Sequence, residues 1–135
     1  MIAKRIEPAA AWWQHLFAVI DAGDAAGFVA LLTPDAQFRF GNAPALVGAE
    51  AILAAVTGFF ASIASCRHRV IHTFSGSAGV ACEGEVIYTR HDGTDVAVPF
   101  ANAFELSGTL ISAYRIYIDN SPLAQPGLST PSPRG

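Results

Sequence analysis

Four histidines, eleven aspartates or glutamates and two cysteines are the groups in this 135-residue chain able to move a proton or hold a metal. Two of the histidines and two of the carboxylates stand at a telling spacing. His68 and His72 lie in one apolar-alternating segment, and Glu83 and Glu85 in the next. In extended backbone, residues two or four apart share a face, so each pair can point into one space. With the intervening hairpin pivoting between Gly76 and Ser77, His68 falls opposite Glu85 and His72 opposite Ala81. A carboxylate beside an imidazole is a general acid/base arrangement: the anion favours the imidazolium, and desolvation opposes it. The bland alternative is a half-buried His-Glu pair that only satisfies itself. No short metal motif supports a site built from His68, His72, Glu83 and Glu85, and Cys66 and Cys82 match neither a zinc spacing nor a disulfide framework. They read as buried thiols. No metal and no cofactor are expected.

These groups must be positioned by the elements around them. Ala9 to Ala22 sets Trp12, Leu16, Val19 and Ile20 on one face, the period of an amphipathic helix. Gly23 ends it. Asp24 can cap a second, short helix whose stripe of Phe28, Leu31 and Leu32 stops at Thr33-Pro34. Ala36 to Phe40 alternates as a strand, Gly41 to Ala45 is turn chemistry, and a third helix runs over Gly48 to Ala64. Four strands follow, Cys66 to Phe74, Gly79 to Arg90, Val96 to Leu106 and Leu110 to Asp119, separated by Ser-Gly and Asp-Gly turns. Helices first and an antiparallel meander afterwards predict an α+β domain, three helices packed on a strongly curved antiparallel sheet. The domain is expected over residues 1–121. Residues 122–135, rich in Pro, Ser and Gly, are expected to form a mobile or draped tail.

With the Asp92-Gly93 hairpin pivoting at its centre, one sheet face collects Cys66, His68, His72, Glu83, Glu85, Phe100, Asn102 and Phe104. That is an apolar wall with a few polar groups set into it, the usual make-up of a small-molecule site. The other face, with Val86, Tyr88, Ala97, Ala101 and Ala103, suits a homodimer interface.

Composition narrows the partners. The net charge is −3, and the eight basic residues are spread from end to end, so there is no footprint for nucleic acid. The longest apolar stretch, Ala51 to Ala64, is interrupted and falls short of the ~20 residues a membrane span needs. Without a secretory signal pattern at Met1 to Pro8, the expectation is a cytoplasmic protein that contacts neither membrane nor nucleic acid.

The order of elements, together with Asp21-Ala22-Gly23-Asp24, Pro34-Asp35-Ala36, Val47 to Ile52, Tyr88 to Gly93 and Arg115 to Asp119, resembles the SnoaL-like branch of the nuclear transport factor 2-like superfamily over about residues 8–123. The resemblance implies a cone-shaped fold enclosing a pocket, a cystatin-like α+β barrel. Fold alone leaves the chemistry open. Positions used by ketosteroid isomerases hold Leu16, Phe40 and Phe100 here, which removes that route. The arginine and acids of limonene epoxide hydrolases fall on Glu85, Ile87 and Ile116, although their asparagine matches Asn42.

The dehydratase pattern matches better. A first-helix aspartate and a histidine on the strand after the third helix fall on Asp21 and His68, and a pocket asparagine falls on Asn102. The dehydratase tyrosine beside that aspartate is Ile20 here, and its second histidine falls near Glu83 or Glu85. The resemblance therefore implies a proton abstracted by His68, oriented by Asp21 or Glu85, with Asn42 or Asn102 holding a substrate oxygen. Trp13, Phe100, Phe104 and Tyr114 are expected to contact the substrate. Asp21 has a plainer reading as a residue of the Asp-x-Gly-Asp turn. The function expected is a cofactor-independent lyase, isomerase or cyclase acting on a small hydrophobic oxygenated molecule. A non-catalytic ligand-binding module is the alternative.

Overall fold

Helix-period burial builds the first element. α1 (Ala10–Asp21) turns Trp13, Leu16, Phe17 and Ile20 inward, at spacings of three and four. Gly23, at φ 69°, closes it: its N–H reaches the Ile20 carbonyl at 2.9 Å while the Asp24 N–H reaches that of Val19 at 3.2 Å. That is a Schellman close, which uses the conformational freedom of glycine just past a helix. Asp24 then caps α2 (Ala25–Val29), its carboxylate accepting from the Gly27 N–H at 2.9 Å. The computed structural model describes residues 10–125.

The second helix is shorter than its apolar stripe suggests. Leu32 already opens β1 (Leu32–Phe40), and Thr33-Pro34 lie inside that strand rather than at a helix stop. The ladder slips between Leu32 and Gln37, and the irregularity accommodates a proline that cannot donate. β2 (Leu46–Val47) is a two-residue strand paired to β1, not anticipated from the turn residues around it. α3 (Ala49–Ala61) follows, with Ile52 and Val56 buried. Four long strands complete the chain: β3 (Ser65–Ser75), β4 (Val80–Thr89), β5 (Asp95–Ser107) and β6 (Leu110–Ile118).

The sheet has the order β2-β1-β6-β5-β4-β3. β3 to β6 form the expected meander, but β1 runs parallel to β6, so the sheet is mixed, and it remains open rather than closing into a barrel. The three helices pack on it in an α+β arrangement, with the core between the layers. No helix among the described residues is long and apolar enough to cross a membrane.

Register departs from expectation at β4, with consequences for the site. The β4–β5 connection is centred on Asp92, with Arg90 N–H on the Thr94 carbonyl and Gly93 at φ 88°, so Val86 faces Val98 and Gly84 faces Phe100. On the other side β3 carries an irregularity between Val70 and His72, beyond which His68 faces Val86. A one-residue change inverts every side chain of a strand. The buried face of β4 is therefore Val80, Cys82, Val86 and Tyr88, while Glu83 and Glu85 look outward. Val86 and Tyr88, expected on a dimer face, are core residues; Ala97, Ala101 and Ala103 do lie on the outer side.

Pro122, Leu123 and Ala124, expected in the tail, belong to a described turn. Residues Ser121–Ala124 form a 3-10 turn, and the Arg90 guanidinium donates to the Pro122 carbonyl at 2.8 Å and the Leu123 carbonyl at 3.3 Å. The remainder of that segment lies outside the described residues.

Candidate functional site

Asp21 is the last residue of α1, and His68 sits on β3 two positions beyond Cys66. The imidazole Nδ1 lies 2.6 Å from Asp21 Oδ1, and the backbone N–H of His68 donates to Oδ2 at 2.9 Å. Both carboxylate oxygens are thus engaged by one residue. The side chains are only 13% and 24% exposed for His68 and Asp21, so water screens the contact weakly. An ionised carboxylate can only accept, so Nδ1 is the donor in such a contact, and a neutral imidazole held this way keeps its lone pair on Nε2. Phe17 and Phe100 hold the ring in place, with centroids at 4.8 Å and 5.2 Å.

Cys66 adjoins the pair, its Sγ 3.7 Å from Asp21 Oδ1. Burial, followed by the charge of Asp21, pushes its thiol up to about 12. Asp21, Cys66 and His68 are the one group among the described residues whose donor atoms lie close enough to hold a metal, within 4.8 Å of one another. The donor set fits poorly. A metal would have to separate the 2.6 Å Nδ1–Oδ1 contact and ionise a thiol that its surroundings keep protonated.

His68 lines a cavity of about 230 Å³ between the helices and the sheet. Its wall is almost wholly apolar and aromatic, drawn from the three helices and all six strands, and no lysine or arginine takes part. The exposed lining residues Ala43, Pro44 and Ala55 mark its opening, between the turn after β1 and α3. Asn102, 2% exposed, is the buried polar residue of the core. Its Nδ2 donates to Tyr114 Oη at 3.2 Å while its Oδ1 is buried without a partner. Desolvation pushes the Tyr114 phenol well above its usual range, so it stays a neutral O–H donor.

The structure sorts the expected residues into those it gathers and those it separates. His68, Phe100, Asn102 and Tyr114 line the cavity, and Asp21 stands directly behind His68. Glu85 does not: it lies across the sheet, 3.4 Å from Arg69, because of the inverted β4 register. The pairing of His68 with Glu85 is thereby corrected. His72, likewise outside, pairs with Glu83 at 2.8 Å. Asn42 borders a separate shallow depression with Asp119, Asn120 and Ser121. Trp13 and Phe104 are core packing rather than cavity wall, meeting edge-on at 5.5 Å. Tyr88 is the lining residue that the sequence reading put on the wrong face. A glycine in mid-strand, Gly84, was the available signal, since it commonly marks a bulge or a close backbone approach.

The family model for the SnoaL-like domain matches residues 13–114, a span that includes Asp21, His68, Asn102 and Tyr114. The chain belongs to the SnoaL-like family. Solved structures of this family's fold superpose on it at low identity. A candidate polyketide cyclase from Xanthomonas campestris pv. campestris has a TM-score of 0.74 at 16% identity, covering 84% of this chain and 91% of its own. A SnoaL-like polyketide cyclase candidate from Jannaschia sp. CCS1 has a TM-score of 0.69 at 17% identity, covering 93% and 99%. TerC, crystallised with polyporic acid, has a TM-score of 0.71 at 13% identity, covering 84% and 92%. At these identities the likeness establishes the nuclear transport factor 2-like cone fold and no more. No curated protein sequence matches the chain at a significant level.

Proposed function

We propose that this SnoaL-like protein binds a small, neutral, oxygenated apolar molecule and carries out cofactor-independent acid/base chemistry on it, as a cyclase, lyase or isomerase. The observation that carries the reading is the 2.6 Å contact between His68 Nδ1 and Asp21 in a histidine that lines an apolar cavity. Nε2 takes a proton from carbon next to a carbonyl, and Asp21 stabilises the imidazolium that results. Charge gathering on the carbonyl oxygen is met by the Tyr114 O–H, which is free to donate because its oxygen already accepts from Asn102. The proton then returns from Nε2 to a departing oxygen in an elimination, or to another carbon in an isomerisation or ring closure. The names of the structural neighbours favour the cyclase class within this range.

The test needs no knowledge of the natural substrate. 5-Nitrobenzisoxazole is a bicyclic probe in which a base removes a C–H proton while the N–O bond opens. The wild-type chain is expected to accelerate this opening above buffer, His68→Ala to return it to the buffer rate, and Asp21→Asn to lower it by about 10- to 100-fold. Equal rates for wild type and His68→Ala would remove the proposed base. A second reading, binding without turnover, is favoured by one observation: both Asp21 oxygens are taken up by His68 itself, the arrangement of a buried pair that satisfies its own polar groups. It predicts probe binding that survives His68→Ala and no acceleration in either protein.

A further inference from the structure

Two asparagines each give an amide N–H to a tyrosine of the cavity wall. Asn102 does so to Tyr114, and Asn120, beyond the end of β6, does so to Tyr88, both at 3.2 Å. In each asparagine Oδ1 is buried without a partner. A phenol oxygen that accepts an amide N–H keeps its own O–H to give away. The first pair serves the chemistry above; the second is unused by it.

Tyr88 is well placed for such a role. Its strand partner is Cys66, whose same-face neighbour two residues on is His68, so phenol and imidazole are diagonal neighbours on adjacent strands. Tyr88 is 3% exposed, lines the cavity, and meets Phe59 edge-on at 5.8 Å. Asn120 borders the shallow depression, which shares Phe40, Phe59 and Ile118 with the cavity. The Tyr88–Asn120 bond therefore spans the wall between the two spaces.

We propose that Tyr88 is a second ligand-anchoring donor, held by Asn120 as its positioning residue, and that the cavity selects a neutral one- or two-ring compound with two separated oxygen acceptors, one met by Tyr114 and the other by Tyr88. Size supports the class: about 230 Å³ exceeds the about 150 Å³ that admits benzene and lies below the about 300 Å³ at which drug-sized sites begin. The absence of lysine and arginine from the lining favours a neutral guest. This inference rests on reading the cavity as a ligand site.

Three probes of one carbon skeleton test it by calorimetric titration of the full chain: tetralin, 1-tetralone and 5-hydroxy-1-tetralone, with no oxygen, one and two. In the wild type, affinity is expected to rise along that series. Tyr88→Phe should weaken 5-hydroxy-1-tetralone by about tenfold while leaving tetralin within about twofold. Asn120→Ala should lower the same ratio in a smaller step, and it decides alone if Tyr88→Phe does not fold. General damage to the core would weaken all three probes together and leave the ratio unchanged. An unchanged ratio in the folded variants, with tetralin still bound, overturns the role of Tyr88 and leaves the cavity reading standing. Failure of the wild type to bind any of the three overturns both.

Discussion

Asp21 closes a helix at the end where the backbone dipole is negative, a poor place for a carboxylate by about 0.3–1 kcal/mol. Two N–H donors of His68, one backbone and one imidazole, offset that cost and hold the ring at the same time. A residue that reads locally as part of a turn thus becomes half of a dyad only when a strand 47 positions away arrives beside it. Cys66 completes this corner as an inert neighbour. Burial pushes its thiol, and that of Cys82, up to about 12, and the thiolate is the reactive form. Iodoacetamide at pH 8 should therefore leave both cysteines unlabelled in the folded protein and modify both in denaturant, as read by intact mass. Rapid labelling of the folded chain would contradict this account of the dyad's surroundings.

At the scale of elements, the helices and most strands were legible because burial repeats with the period of each. Cys66, His68 and Val70 on β3, and Val98, Phe100, Asn102 and Phe104 on β5, all face as their alternation suggests. β4 departs from the turn-based expectation for a specific reason: its two connections each differ from a centred tight turn, and β3 adds an unpaired residue at Ile71. Alternation in Cys82-Glu83-Gly84-Glu85-Val86 is itself consistent with carboxylates outside, as the burial pattern of β4 has them. Gly84 is where the strands crowd, since a Cβ there would run into the Arg69 carbonyl. Gly84→Ala should cost about 1–3 kcal/mol, the range of an overpacked core site, read from the urea midpoint at unchanged slope. A neutral outcome would mean that β3 does not approach so closely.

Across the whole molecule, the titratable groups set into the core make stability sensitive to alkali. The thiols of Cys66 and Cys82 move from 9.0 to about 12, and the phenol of Tyr88 from 10.0 to about 12, chiefly through burial. A proton held more tightly in the folded state stabilises it fully below the unfolded value and ceases to do so as pH rises through the folded one. The urea midpoint should accordingly change little from these groups up to about pH 9 and fall steadily towards pH 12. Cys82→Ala should flatten part of that fall, and a fall of equal steepness in that variant would assign the effect elsewhere.

The features legible in the linear order of residues follow from short-range rules. Helical and strand periods, the Gly23 and Asp24 signals, the apolar wall and the lack of a basic patch are each contained within one segment or the bulk composition. Tertiary structure alone decided the parallel pairing of β1 with β6, the outward turn of Glu85, and the arrival of Tyr88 inside the cavity with Asn120 behind it. The physical reason is the two-residue repeat of extended backbone. A single residue gained in a loop or bulge carries every side chain of a strand to the opposite face, and which loops gain one is settled by packing between distant segments.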